Sequence, residues 1–402
     1  MSRLCKRMPN PTDDANKMKV NIISCWFATS YGAYTDGLRR ALERQLGNAV
    51  GIIASNCGCG DPVEVKRQFQ DRRCEYIEFP HIHYYKSVNP LKFWLRVKAR
   101  NLLYWERARR YLKHTGEADV LHFQQTLNAF GSVPLFHWLN LPSKAARVVT
   151  VHELDPYQQD FPETNLNYNN ADRIIVHALE MKKELVSLGV NSSLIDIVEH
   201  GVEIRPATNE TRNGIIFYAG HKLHSGKGLD TLFAAMALVK DKLGPKTPVL
   251  TIHGHYGTTT PEYGLEKARE SGIENGIRWL NQISLDEAIS EYQRSLLCVL
   301  PYTGSFAGFP AVTALANGVP VIGTRRAGLP EHLGDVGTWV TEKDAKGLAT
   351  TILGLLENRA MREDIATRGR ARAEQFLSWD VIAKKTHDSY KSATRTKAQQ
   401  QR

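Results

Sequence analysis

No run of 18 apolar residues occurs anywhere in the 402-residue chain, which argues against a transmembrane helix. The first residues, MSRLCKRMPNPTDD, lack the apolar core of a signal peptide, so a cytoplasmic location is expected. The six cysteines are Cys5, Cys25, Cys57, Cys59, Cys74 and Cys298, and none stands in a CxxC pair. Cys57-Gly58-Cys59 has no His or Cys partner at zinc-site spacing, so free reduced thiols are expected. No short-period repeat, low-complexity tract or DxD motif is present. The Gly-rich loop at 220–228 is not a P-loop, because GxxxxGK[ST] would need Ser or Thr where Gly228 stands.

What is there belongs to an ordinary globular protein, with 42% hydrophobic and 23% charged residues. The length exceeds one hydrophobic core and implies two domains. Short β-branched runs alternate with helical patterns: KVNIISC (19–25), GIIAS (51–55), ADVLHF (118–123), RVVTVH (147–152), RIIVH (173–177) and LIDIV (194–198). After the polar stretch 203–214 the rhythm restarts with GIIFYAG (214–220), VLTIHG (249–254), GIRWLN (276–281), LLCVLP (296–301) and VPVIGT (319–324). Helical patterns include 35–47, 178–189, 343–357, 359–375 and 379–394. The alternation predicts an α/β protein with two consecutive parallel sheets.

Ligands of open α/β sheets bind at the carboxyl ends of strands, and four such ends stand out. In SCWFATSYGAYTDGLRRAL (24–42) a loop holding Gly32 leads into a helix with Thr35 or Asp36 as N-cap; it is not a GxGxxG, and reads either as a ligand loop or as an ordinary turn. His152 and Glu153 follow a buried-looking strand, either as a polar pair at the rim of a cleft or as a capped strand end. The loop HKLHSGKG (221–228) carries two Lys, two His and two Gly. There Lys227 meets the positive end of the next helix, an arrangement that suits a phosphate. After LLCVLPY (296–302), Pro310 suits the first helical position of a short helix and Gly318 its C′ position, which leaves backbone N–H groups at 308–311 for an anion or a sugar hydroxyl.

In this order the features resemble the retaining nucleotide-sugar glycosyltransferases of the GT4 family, whose GT-B fold faces two Rossmann-like domains across a cleft. ADRIIVHALEMKKELVSLGVNSSLIDIVEHGVE (171–203) resembles that family's passage ending in "NGVD", and FYAGHKLHSGKGLDTLFAAMALV (217–239) its "GRL…KG" donor-phosphate loop. ISEYQRSLLCVLPYTGSFAGFPAVTALANGVPVIGTRRAGLPEHL (289–333) resembles the donor signature, and FLSWDVIAKKTHDSY (376–390) the terminal "FSW…Y" helix. The resemblance implies a disordered segment at 1–17, an acceptor domain at 18–206, a donor-binding domain at 207–375, helix 376–394 crossing back to the first, and a disordered tail at 395–402.

The resemblance also assigns residues. His152 matches the His placed beside the transferred sugar, and Lys222 and Lys227 match the two phosphate cations; His221 takes the first cation's place if the loop is aligned from Gly220 forwards. Gly32, Gly220, His221, Gly308, Phe309 and Pro310 are implied as donor-binding residues, with Ser305 and Thr313 where the family has two Glu. A hydroxyl replaces a charged acceptor there, a loss of about 1–3 kcal/mol in donor binding.

The implied reaction is transfer of a hexose-type sugar from a nucleoside diphosphate donor with retention, metal-independent and without cofactor, on a saccharide or lipid-linked acceptor. Closure of the domains would exclude water. Polysaccharide, lipopolysaccharide or glycoconjugate synthesis is the expected setting. The net charge is +10, and between Lys86 and Lys113 there are nine basic residues against one acid, Glu106. On a helical wheel Lys92, Arg96, Arg100, Arg107 and Arg110 share one sector, which reads either as a solvated face or as a patch for anionic membrane at the inner face of the cytoplasmic membrane. No nucleic-acid motif accompanies the charge. Two rivals share the fold: a non-catalytic binding or partner subunit, favoured by the two missing carboxylates, and an epimerase or phosphorylase.

Overall fold

The computed structural model describes residues 18–24, 30–47, 49–55, 74–77, 102, 118–124, 143–152, 168–207, 211–220, 226–254, 260–281, 283–304, 308–326 and 328–400. The first elements are β1 (Lys19–Ser24), α1 (Ser30–Leu46), β2 (Ala49–Ser55), β3 (Cys74–Ile77), β4 (Val120–Gln124), β5 (Ala146–Val151), β6 (Arg173–Val176), α2 (Leu179–Ser187) and β7 (Ile195–Ile197). Their strands form one sheet of order β3-β2-β1-β4-β5-β6-β7. The pairings β1–β2, β1–β4, β2–β3 and β4–β5 are parallel. β4 and β5 are buried along their whole length, and their polar members His122, Gln124 and Thr150 are hydrogen-bonded to one another inside that core.

The second set is β8 (Gly214–Gly220), α3 (Leu229–Leu243), β9 (Val249–Gly254), α4 (Thr260–Glu270), β10 (Ile277–Asn281), α5 (Leu285–Gln293), β11 (Ser295–Leu300), α6 (Phe309–Ala316), β12 (Val321–Gly323), α7 (Leu329–Leu333), β13 (Thr338–Trp339), α8 (Ala345–Glu357), α9 (Arg359–Arg372) and α10 (Trp379–Gln400). The sheet order is β10-β9-β8-β11-β12-β13, with every pairing parallel. Each sheet starts at its centre and is wound outward in both directions, the doubly wound Rossmann pattern. α3 buries Leu229, Leu232, Phe233, Met236 and Val239 on the second core, and α8 buries Leu348, Ala349, Ile352 and Leu355, both at helical spacing. Each of these side chains except Ala349 contributes about 1.5–3 kcal/mol. Cys298, central in β11, is a free thiol, and burial pushes its pKa up.

Three readings of the sequence need correction. α1 begins at Ser30, so Gly32 lies in its first turn, buried, and not in a loop. Thr35 and Asp36 are consequently interior; Asp36 pairs with Arg39 and Arg40 at 3.1 and 2.6 Å. The buried stripe Tyr34, Leu38, Ala41 and Leu42 starts at Tyr34, and seating it requires the turn before it, which overrides the weak helix propensity of glycine. α10 continues to Gln400, because ATRTKAQQ holds good helix formers and neither Gly nor Pro. The short strands β3 and β13 were not anticipated: CEYI is only partly apolar and TW is two residues long.

Two compact units divide the chain: Met1–Thr150 with Tyr157–Ile174 and Thr386–Arg402, and Val151–Pro156 with Ile175–Lys385. In the first unit His122 of β4 lies 2.7 Å from both Tyr390 Oη and Thr150 Oγ1. No helix among the described residues is long and apolar enough to cross a membrane.

Candidate active site

The second unit gathers four buried histidines, three of them just past strand ends. His152 follows β5, His177 follows β6, His200 lies three residues beyond β7, and His332 sits in α7; none is more than 2% exposed. His177 Nε2 is 3.0 Å from His152 Nδ1, and His177 Nδ1 is 2.9 Å from the Val198 carbonyl. The rings of His152 and His177 are 4.9 Å apart, and those of His177 and His200 are 5.5 Å apart. His200 Nδ1 donates to the Gly201 carbonyl at 2.8 Å, and its backbone N–H donates to His332 Nε2 at 3.1 Å. His332 Nδ1 in turn donates to the Gly328 carbonyl. A carbonyl accepts and a backbone N–H donates, so His332 is the neutral Nδ1–H tautomer.

Burial keeps the rings of His177, His200 and His332 uncharged. It lowers the His177 pKa to about 4, sets His200 well below the ordinary histidine range and lowers His332. Among the described residues no cluster of three or more His, Cys, Asp or Glu could hold a metal ion. His152 was singled out from the sequence; His177, His200 and His332 were not. The available signal was a histidine after each strand, in RIIVH and DIVEH, and the one in GLPEH.

α6 reaches this row through Phe309. Its Phe309 ring is 5.5 Å from His200 and 6.3 Å from Tyr218. A Cβ on Gly308, the N-cap, would come within 2.5 Å of the His332 ring, so only glycine lets the loop approach this closely. Pro310 is the second helical residue and Gly318 follows the C-cap Asn317. Pro310 has no N–H, so the expected row of amides at 308–311 reduces to Gly308, Phe309 and Ala311. Residues 310–316 are all buried, which accounts for their lack of charge. Thr313, 2% exposed, donates its hydroxyl to the Phe309 carbonyl at 2.7 Å, one helical turn back.

The turn at Gly226–Gly228 and the segment Thr303–Gly304 are tied together beside the central strands β8 and β11. The Gly226 carbonyl accepts from the amides of Thr303 and Gly304 at 2.8 and 3.1 Å. Gly228 caps α3 in the left-handed region at φ +73°, and a Cβ there would overlap the Pro301 carbonyl. Lys227 is 8% exposed, with Nζ 4.5 Å from the Tyr302 ring centre and 5.7 Å from that of Tyr218. Tyr302 Oη donates to the Tyr218 carbonyl at 3.2 Å, which fixes the ring under the ammonium. Gly220 ends β8 beside the Lys227 stem; a Cβ there would lie 3.5 Å from Lys227 Cε.

The flanking charges are engaged elsewhere. Arg325 stacks on Trp339 at 4.5 Å, and Arg326 pairs with Glu180 at 3.0 Å. Glu331 accepts the Leu179 N–H at 2.9 Å and caps α2, whose N-cap Ala178 has no side chain to do so. Glu153, His221, Lys222, Ser305, Lys92, Arg96, Arg100, Arg107 and Arg110 lie outside the described residues.

Two family models match the chain: "Glycosyltransferase Family 4" over residues 32–205 and "Glycosyl transferases group 1" over residues 213–358. The chain belongs to the GT4-like glycosyltransferases of GT-B fold. A glycogen synthase of Mycobacterium tuberculosis is 24% identical over 305 residues, covering 70% of this chain and 71% of that protein. A D-inositol 3-phosphate glycosyltransferase of Pseudarthrobacter chlorophenolicus is 26% identical over 313 residues, covering 72% and 74%. Among solved structures, a variant of Staphylococcus aureus TarM in complex with fondaparinux, alpha-GlcNAc-glycerol and UDP superposes with a TM-score of 0.70 at 11% identity, covering 93% of this chain and 99% of that one.

Proposed function

We propose that this glycosyltransferase moves a hexose-type sugar from a nucleoside diphosphate donor to a hydroxyl of a saccharide or lipid-linked saccharide, with retention and without a metal. The observation that carries the reading is Lys227: a buried ammonium held on Tyr302, one residue before the cap of α3. A cation added to the positive end of a helix is the arrangement that a diphosphate stabilises. The bond between the anomeric carbon and the diphosphate oxygen breaks, and its electron pair leaves with the nucleoside diphosphate. The acceptor oxygen bonds to the anomeric carbon on the same face, and its proton passes to an oxygen of the departing diphosphate. Lys227, Lys222 and the amides of Gly308, Phe309 and Ala311 stabilise the charge that develops, which is electrostatic catalysis. His152 lies beside the transferred sugar.

The UDP held by the TarM variant makes uracil the first base to test. Titrating UDP, GDP and ADP and then measuring hydrolysis of the matching sugar donors tests the reading; tight binding with no turnover on any donor or acceptor would sink it. That outcome would favour a nucleotide-sugar-binding subunit, the second reading, for which the hydroxyl of Thr313 in place of a carboxylate is the specific support. For the acceptor side we take the basic residues Lys92, Arg96, Arg100, Arg107 and Arg110 as a patch for anionic membrane. The triple change R96E/R100E/R107E should release the protein from anionic vesicles, and unchanged sedimentation would leave the face merely solvated.

A further inference from the structure

His253 stands apart from the row of four histidines, near the carboxyl end of β9. It is the register partner of Tyr218 on the neighbouring central strand β8, and the two rings are 5.0 Å apart. Lys227 Nζ stands 5.7 Å from the same Tyr218 ring. Tyr292 of α5 has its ring 5.5 Å from that of His253 and its hydroxyl 3.3 Å from Nε2. Burial lowers the His253 pKa to about 3 and raises that of Tyr292 well above the ordinary phenol range, so the imidazole is neutral and the phenol keeps its proton. Among the described residues Nε2 is the only hydrogen-bond partner of that phenol. The phenol proton therefore goes to Nε2, because the opposite arrangement would leave a buried O–H without an acceptor. Nε2 holds the lone pair, and the one N–H of His253 is on Nδ1.

That N–H has no hydrogen-bond partner among the described residues, although His253 is only 3% exposed. Nδ1 is not among the unpaired polar atoms sealed from solvent, so it lies at the edge of the core rather than inside it. An open donor at a strand end, in a strand whose buried members Leu250 and Ile252 are apolar, is an arrangement that a bound acceptor completes. We infer that His253 is a specificity residue for the nucleoside part of the donor: its Nδ1–H, set by Tyr292, donates to a nucleoside oxygen, either a base carbonyl or a ribose oxygen. The inference rests on the proposed reading of Lys227 as a phosphate cation and of the histidine row as the sugar's neighbour. Ring contacts run in series from His200 through Phe309 and Tyr218 to His253, and Lys227 stands over Tyr218 in the middle. The diphosphate likewise lies in the middle of the donor, between the sugar and the nucleoside. With the row at the sugar end of the series, His253 falls at the nucleoside end.

The test titrates the full-length protein with the tightest-binding of UDP, GDP and ADP, with its monophosphate, with ribose 5-phosphate and with inorganic pyrophosphate. His253→Phe keeps a ring between Tyr218 and Tyr292 but has no N–H. The diphosphate should bind about tenfold more weakly to it, and pyrophosphate should stay within about twofold. Adding Tyr292→Phe removes the hydroxyl that has lost its acceptor, and the loss should persist. His253→Asn, whose amide N–H can stand where Nδ1–H stood, should recover most of it. A loss shared by the monophosphate and ribose 5-phosphate places the acceptor on the ribose, and a loss confined to the monophosphate places it on the base. Unchanged nucleotide affinity in His253→Phe overturns the inference, and so do equal losses for nucleotide and pyrophosphate, which would show a merely structural role. Nitrogen-15 NMR of the histidine-labelled wild type decides the matter even if His253→Phe fails to fold. His253 Nδ1 should be protonated and should shift when the nucleotide is added; an unprotonated Nδ1, or one indifferent to nucleotide, overturns the inference. If none of the three nucleotides binds the wild type, the reading of Lys227 fails and takes the inference with it. A nucleotide that binds through Lys227 yet leaves His253 unaffected overturns the inference alone.

Discussion

Replacing Lys227 by methionine isolates the charge at the phosphate loop from its packing. The Lys227 stem is buried against Tyr302 and beside Gly220, and methionine keeps an unbranched, polarisable chain of similar reach in that slot. A charge-assisted hydrogen bond to a diphosphate is worth about 1.5–3 kcal/mol. At about 1.4 kcal/mol for each factor of ten, UDP should bind about 10- to 150-fold more weakly to Lys227→Met. Uridine has no phosphate and should lose less than about twofold. A thermal scan of both proteins without ligand checks that the fold survives the change. Calorimetric titration of both ligands against both proteins, with a thermal scan of each, supplies all the quantities. Equal losses for UDP and uridine would mean that the substitution disturbs the whole pocket. An unchanged UDP affinity would remove Lys227 from the phosphate site.

Acid should destabilise the protein before its carboxylates titrate. His122, His177 and His253 hold pKa values lowered by burial to about 3, 4 and 3, against about 6.5 when unfolded. The unfolded chain therefore binds more protons between these values, and stability falls as pH drops from about 6.5 toward 4, by on the order of a few kcal/mol for each ring; denaturant midpoints that stay level from pH 7 to 5 would refute this. Gly308→Ala would drive a Cβ to 2.5 Å from the His332 ring, which two backbone hydrogen bonds hold in place, and should cost about 1–3 kcal/mol of stability by calorimetry. Thr313→Glu would place a carboxylate at a site only 2% exposed and should cost about 3 kcal/mol without ligand, with more of the loss recovered on adding UDP than the wild type gains. Equal UDP stabilisation of both proteins would show that position 313 does not face the nucleotide.

The strand ends were legible because each rests on a short run of β-branched residues, as in GIIFYAG or VLTIHG, whose burial on both faces leaves little room for another reading. The start of α1 was not, because Gly32 signals a loop locally while the apolar stripe from Tyr34 to Leu42 demands helix, and the packed stripe prevails. The histidine row was hidden for a different reason. The four histidines of the row are visible in the sequence, but their chemistry depends on which backbone group each ring nitrogen meets, and Val198 is 21 residues from His177.

Position 313 shows how far a sequence pattern reaches and where geometry takes over. The pattern places a hydroxyl where the signature it resembles has a carboxylate, and taken alone this reads as a weakened donor contact. In the helix that hydroxyl already gives its proton to Phe309, so it is satisfied without any ligand. A carboxylate buried in the same place would need a donor to pair with it, and an empty site would leave it unpaired. On the proposed function, recognition then falls to the amides of Gly308, Phe309 and Ala311 and to the ammonium of Lys227, whose segment is tied to the one before α6 by the bonds from Thr303 and Gly304 to Gly226. Within the chargeless run 304–324 the helix residues 310–316 are core, and the chain enters that helix at Gly308, where it passes against His332.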